Sequence, residues 1–189
     1  MSIAIFVRLL QPIPLCDVES SSSLALQQLL NLDTRPTINA RFDLSSQAGD
    51  PSEVQLSRSS KRVLCSLSGH DEEVAIVPLI IPVQIPANDS SCAFTDQCEV
   101  SIYWEYKRSP LCYALNAGVA VGIARNQCSE IEDNSGFFTM VNDQTPEEFT
   151  RILRLSESQS DIERAAAELY AKMPKSNQLI ERLGGAVHL

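Results

Sequence analysis

The chain has 189 residues, of which 44% are hydrophobic and 21% are charged, and this is enough apolar sequence for one compact domain. Its 24 acidic and 15 basic side chains give a formal charge of −9. That charge argues against nucleic acid or an anionic membrane as a partner, because both need a positive surface, and it favours a basic or neutral one. No window approaches the roughly 18 uninterrupted apolar residues of a membrane span.

The N-terminus and the cysteines indicate the compartment. The first ten residues, MSIAIFVRLL, are interrupted by Arg8 and lack a basic segment or cleavage site, so we expect a strand rather than an export signal, and a cytoplasmic protein. The six cysteines contain no CxxC spacing. We expect mainly buried free thiols, with a Cys92 to Cys98 disulfide as the alternative, and predict neither a metal nor a cofactor.

The N-terminal part of the chain, residues 1–108, is predicted to be rich in strands. Residues 37–44 and 99–106 alternate between apolar and polar side chains, which is typical of strands with one buried face. Residues 74–85, VAIVPLIIPVQI, are predicted to form a buried strand with an extended continuation, either at a sheet edge or on a polyproline-like path, because prolines cannot donate hydrogen bonds to a neighbouring strand.

The middle of the chain, residues 109–141, is predicted to form a buried helix followed by a hairpin. A serine, favourable as an N-cap, precedes Pro110, where the missing amide hydrogen has no cost. The helix is apolar or small on nearly every side and runs to about Asn126. Residues 129–132 and 136–141 would then pair around a turn that contains Asn and Gly.

The remaining helices are predicted from their caps. Four consecutive serines precede a helix at residues 24–30. Residues 145–183 are predicted to be helical, with capping boxes that begin at Thr145 and Ser160. Together these elements predict a single α+β domain over residues 1–189. Its sheet is mainly antiparallel, with five to seven strands, and the central helix packs on one face.

Few residues are placed for catalysis. A nucleophile needs a base, and the only histidines are His70, in a turn, and His188, next to the last residue. His70 with Cys65 or Ser68 as nucleophile is one catalytic alternative. The motifs that would position a serine, a dinucleotide, a phosphate or zinc are absent from the sequence, so we assign no catalytic residue.

The charge distribution between residues 126 and 150 is the most informative feature, because this segment holds six acidic residues and no lysine or arginine. One interpretation is a solvated turn followed by carboxylates that complement a helix dipole. The other is a negative docking surface for a basic partner, with one of two adjacent phenylalanines as an exposed anchor. We predict the second, with these partner-binding residues: Glu130, Glu132, Asp133, Phe137, Asp143, Glu147 and Glu148.

Within the same region, YALNAGVAVGIAR followed by CSEIEDNSGFFTM resembles a segment of bacterial immunity proteins that neutralise secreted polymorphic toxins. In that segment an alanine-rich helix precedes an acidic, Gly-containing strand turn. The resemblance covers residues 113–140 and implies a cytoplasmic, non-enzymatic protein that binds a toxin domain and blocks its active site. The acidic balance is compatible, because toxins that attack nucleic acid need cationic clefts.

The sequence therefore predicts a non-enzymatic inhibitor that binds a basic protein partner, and no nucleic acid or membrane. Two alternatives stay open. One is an enzyme or small-molecule-binding protein with a pocket between the sheet and the C-terminal helices. The other is a structural or assembly subunit in which VPLIIPVQIP lies at an oligomer contact.

Overall fold

The computed structural model describes residues 4–43, 55–85, 93–103, 109–133, 136–139 and 144–174. The strands in these ranges are β1 (Ile5–Arg8), β2 (Ile13–Pro14), β3 (Ile38–Phe42), β4 (Gln55–Leu56), β5 (Val63–Leu67), β6 (Glu73–Ile85), β7 (Ala93–Tyr103) and β8 (Ile131–Glu132). The helices are α1 (Leu15–Leu30), α2 (Pro110–Gln127), α3 (Pro146–Leu153) and α4 (Ile162–Lys172). The predicted α+β fold is confirmed.

The main sheet is antiparallel and has the strand order β3-β5-β6-β7-β1-β8, while β2 pairs with β4 in a second sheet. Ile5 of β1 lies opposite Ile102 of β7, which lies opposite Ile76 of β6. All three are fully buried in one core with residues of α1 and α2. We call this side of the sheet the inner face and the opposite side the outer face.

Helix α2 is the centre of the helical layer and forms as predicted. The Ser109 hydroxyl accepts a hydrogen bond from the Cys112 N–H at 3.1 Å, and Pro110 occupies the first turn. Helices α1 and α4 pack against α2. A Cβ atom at Gly122 would lie 2.6 Å from the Ser22 nitrogen, so only glycine allows α1 and α2 to approach this closely.

Helix α1 begins at Leu15, well before the predicted start at residue 24, so the prediction that the serines cap it is wrong. Leu15, Val18 and Ser22 continue the buried stripe of the helix toward its N-terminus. The Ser20 and Ser21 hydroxyls donate to the Asp17 carbonyl within the helix, Ser21 at 2.6 Å, whereas the Ser23 hydroxyl donates to the Pro36 carbonyl outside it.

The C-terminal helix starts agree with the sequence to within one residue. The Thr145 hydroxyl accepts from the Glu148 N–H at 3.2 Å, which confirms the first capping box. In α4 the N-cap is Asp161 rather than Ser160, because its carboxylate accepts the N–H groups of Glu163 and Arg164 at 2.9 and 3.2 Å. The predicted helical residues 175–183 lie outside the described ranges.

The predicted hairpin after α2 is replaced by a different pairing. β8 pairs with β1, and on its other side Ile131 exchanges backbone hydrogen bonds with Gln144, at 2.8 and 3.0 Å. Residues 136–139 form a loop rather than a strand. The reason is the Asp133 side chain, which binds the backbone of this loop.

Strand β6 is longer and more exposed than the predicted buried strand. It runs unbroken through Pro78 and Pro82, and β7 pairs with it along its whole length from residue 75. β5 pairs only with residues 73–76. Residues 79–85 and 93–99 therefore extend beyond β5 as a two-stranded segment, which we call the arm.

Candidate functional site

Asp133 does not lie on a docking surface. Its side chain is fully buried, and its two carboxylate oxygens accept backbone N–H groups from Phe137, Phe138 and Thr139, at 3.2, 2.8 and 2.9 Å. The prediction that this carboxylate faces a partner is therefore wrong. The Asp133 carboxylate instead accepts backbone N–H groups that would have bonded across the strands of a hairpin.

The expectation of an exposed phenylalanine is also wrong. Phe137 is 3% exposed and Phe138 is fully buried. The Phe137 ring stacks on Tyr113 of α2, with centroids 4.8 Å apart, and Phe138 contacts Phe149 of α3. Both rings pack against helices because the loop around Asp133 turns the chain back toward the core.

The other predicted carboxylates are distributed over two sides of the molecule. Glu147 lies beside the helical layer, 3.5 Å from the Arg125 guanidinium of α2, and Glu148 completes the capping box of α3. Glu132 lies opposite Phe6 on the outer face. Glu130 is exposed, and Asp143 lies outside the described residues. The five acids within the described residues therefore do not form one continuous surface.

The outer face combines apolar and charged side chains outside the core. Strand residues alternate between the two faces, so the neighbours of the buried inner positions point away from α1 and α2. Leu79 is 38% exposed, and the other side chains of this face range from buried to exposed. The central part of the face consists of Phe6, Arg8, Val77, Leu79, Glu99, Ser101, Tyr103 and Glu132.

Two carboxylates lie near one another on this face. Glu99 is between Leu79 and Arg8 in the strand register, and Glu132 is beside Phe6. Burial raises the pKa of Glu99, repulsion from the Glu132 carboxylate raises it further, and the Arg8 guanidinium opposes the rise. The outer face thus holds a half-buried carboxylate whose charged form is disfavoured, next to apolar side chains.

A cavity of about 230 Å³ opens on the same face, near β3, β5 and β6. Its floor includes Leu64 and Ala75. Two ion pairs line it: Arg41 Nη2 is 2.5 Å from Glu73 Oε1, and Arg62 Nη1 is 3.1 Å from Asp43 Oδ2. This cavity lies on the opposite side of the sheet from the pocket expected between the sheet and the C-terminal helices.

The candidate catalytic thiol is not activated. Cys65 is fully buried, and burial raises its pKa to about 12, so it stays protonated near neutral pH and is a poor nucleophile. The Nδ1 atom of His70 lies 3.5 Å from a carboxylate oxygen of Glu163 in α4. His188 lies outside the described residues.

The cysteines in the described ranges are free, as expected, but two of them are not buried. Cys65, Cys98 and Cys112 are buried, whereas Cys16 and Cys128 are exposed. Cys98 is free, and Cys92, its partner in the alternative disulfide, lies outside the described residues. Within the described ranges, no group of three His, Cys, Asp or Glu residues is placed to hold a metal ion.

Glu99 was not among the predicted residues, because the prediction was based on acids that are close to one another in the chain. Phe6, Glu99 and Glu132 share one face, with the two carboxylates close enough to repel one another, only because β1 lies between β7 and β8. One available signal was the alternation in β1, where Phe6 and Arg8 share the face opposite to Ile5 and Val7.

Comparison with protein-family models, with curated proteins and with solved structures found no match to this chain. Among the helices in the described ranges, none combines the length and apolar character needed to span a bilayer.

Proposed function

We propose that this protein is a non-enzymatic, stoichiometric inhibitor that binds a basic protein through the outer face of its sheet. The observation that carries the proposal is the pair Glu99 and Glu132 beside Phe6 and Leu79. Carboxylates that repel one another next to apolar side chains are stabilised when a cation approaches, and such mixed surfaces are common at protein interfaces.

A lysine or arginine of the partner would lie near Glu99 and add to the attraction by which Arg8 already opposes the repulsion from Glu132. Leu79 and Phe6 would add affinity through the apolar area that the partner covers. The overall charge of −9 would attract a basic protein over distance and speed its association.

The toxin-immunity role is the specific form of this proposal that the sequence resemblance supports. Most side chains of the segment that carries this resemblance are used for packing, since the central helix and both phenylalanines are buried. The partner in this form would be a basic toxin domain whose active site the outer face covers.

Glu99→Gln tests the proposal most simply, because it removes one charge and changes the shape little. The partner is captured from the source cells, purified, and titrated against the wild-type chain and the variant. We expect one partner per chain, and about tenfold weaker binding by the variant, which corresponds to about 1.4 kcal/mol.

Glu157→Gln is the matched control, because Glu157 is exposed and follows α3, away from the sheet. It changes the net charge equally, so it separates a local contact from the overall field of the protein. Equal affinities of the Glu99→Gln and Glu157→Gln variants would exclude Glu99 from the interface.

A further inference from the structure

The arm has two strand edges that no described element pairs with, one on β6 beyond Ile76 and one on β7 before Cys98, and the β6 edge is the one that carries prolines. β5 pairs with β6 only as far as Ile76, and the regular register between β6 and β7 continues to Ile85. Leu79 and Ile80 are 38% and 46% exposed, so the arm is uncovered where β5 has ended. An open strand edge of this kind can pair with an identical edge of a second molecule.

The direction of the backbone groups along this edge follows from the pairing. The Leu67 N–H of β5 donates to the carbonyl of Glu72, which immediately precedes β6. Along an antiparallel strand, the N–H and C=O groups of successive residues point to opposite sides. The N–H and C=O groups of the even-numbered residues of β6 therefore point toward β5. Beyond the end of β5, the backbone groups of residues 78, 80 and 82 therefore point to the open edge of β6.

Two of these three positions are prolines. Pro78 and Pro82 have no N–H group, so Ile80 carries the one donor on the open edge between residues 77 and 83. Neither proline interrupts the pairing with β7, because the missing N–H groups are on the other side of the strand. Because the two prolines are four residues apart, their backbone nitrogens face the same edge of the strand.

We infer that Pro78 and Pro82 prevent the β6 edge of the arm from pairing with the same edge of a second copy of this chain. In an antiparallel pair centred on Ile80, Pro78 of each copy would lie opposite Pro82 of the other. Three facing pairs would provide about six hydrogen bonds if all residues could donate, and the prolines reduce these to about two. Without them, the apolar sequence around Ile80 has the composition of a self-associating strand.

The test is the full-length double variant Pro78→Val and Pro82→Val, which restores both donors and keeps the edge apolar. Its mass is measured by light scattering over a range of protein concentrations, beside the wild-type chain. We expect its weight-average mass to reach at least twice that of wild type at high concentration. The single variant Pro36→Val, which changes a proline outside the strands, should match wild type.

A third substitution separates edge pairing from misfolding. Ile80 lies at the centre of the expected pair, so Ile80→Lys in the double variant would place two lysines opposite each other and should restore the wild-type mass. A double variant with the same mass as wild type at every concentration overturns the inference. Association that Ile80→Lys does not reverse also overturns it, because misfolding would then be its cause.

Discussion

Asp133 illustrates how one buried carboxylate can organise a loop. Three backbone N–H groups of residues 137–139 converge on its two oxygens, and all three residues are buried. Water cannot replace these hydrogen bonds at a buried position. The loop in turn holds Phe137 against Tyr113, so this carboxylate supports the contact between the loop and α2.

Replacing Asp133 by alanine should therefore cost much stability. We expect Asp133→Ala to lower the free energy of unfolding by about 3 kcal/mol or more, because each buried donor left without a partner costs about 1 to 3 kcal/mol. Urea denaturation measures the loss. The exposed neighbour Glu130→Ala should change stability by less than about 0.5 kcal/mol. Similar small effects for both variants would contradict the structural role of Asp133.

Glu99 is expected to reduce stability while it serves binding. A carboxyl group whose pKa is raised in the folded state binds protons more tightly there than in the unfolded chain. Its contribution to stability is complete below the ordinary value of 4.5 and is lost as the pH rises through the folded-state pKa. At neutral pH the ionised Glu99 therefore destabilises the fold.

Glu99→Gln should accordingly be more stable than wild type at about pH 7 and nearly equal to it at about pH 4. Thermal unfolding at several pH values measures this difference. The same variant is expected to bind the partner more weakly, so stability and binding should change in opposite directions. A variant that is less stable at neutral pH would show that Glu99 is a structural residue.

Individual caps were predictable from the sequence, whereas the positions of individual acids were not. Ser109 and Thr145 cap helices as expected, because the bond joins groups only three residues apart. Asp133 and Glu147 look alike in the sequence, yet one is buried in a loop and the other is paired with Arg125. Burial depends on the path of the backbone, which local charge does not determine.

At the scale of elements, the contact between α1 and α2 depends on two glycines. A Cβ atom at Gly122 would lie within 2.8 Å of three atoms of Ser22, including its backbone nitrogen and Cα. A Cβ atom at Gly118 would lie 3.0 Å from the side chain of Leu26. The first contact requires a backbone shift, while the second is less tight.

Gly122→Ala should lower the free energy of unfolding by about 2 kcal/mol, because overpacking outweighs the gain of about 1 kcal/mol in helix propensity. Gly118→Ala makes the same chemical change one helical turn earlier and should have a smaller effect. Denaturant unfolding of both variants measures the difference. A greater loss for Gly118→Ala would indicate that the two helices pack in another register.

Element types followed from periodicity, but their lengths and partners did not. The buried helix α2 and strand β3 match their patterns closely. The start of α1 was misplaced because serines suggest a cap, although here Ser20 and Ser21 lie within the helix and bond to its own carbonyls. The pairing of β8 with β1 joins residues far apart in the chain, and no local pattern contains that information.

At the level of the whole molecule, the order of the strands in the sheet brings the residues of the candidate site together. The sequence predicted the α+β class and the number of strands, since both follow from local patterns. It could not predict that β1 separates β7 from β8, and this order alone brings Glu99 near Glu132. The predicted acidic surface failed as a unit because nearby acids in the chain point to different sides of the fold.

A pair of matched substitutions tests whether the outer face binds a protein. Leu79 on the outer face and Ile152 on α3 are similarly exposed, at 38% and 41%. Partner affinity is measured for Leu79→Asp and Ile152→Asp by calorimetric titration. We predict at least about tenfold weaker binding for Leu79→Asp and a change below about twofold for Ile152→Asp. Unchanged affinity for Leu79→Asp together with a large loss for Ile152→Asp would place the interface on the helices and contradict the account.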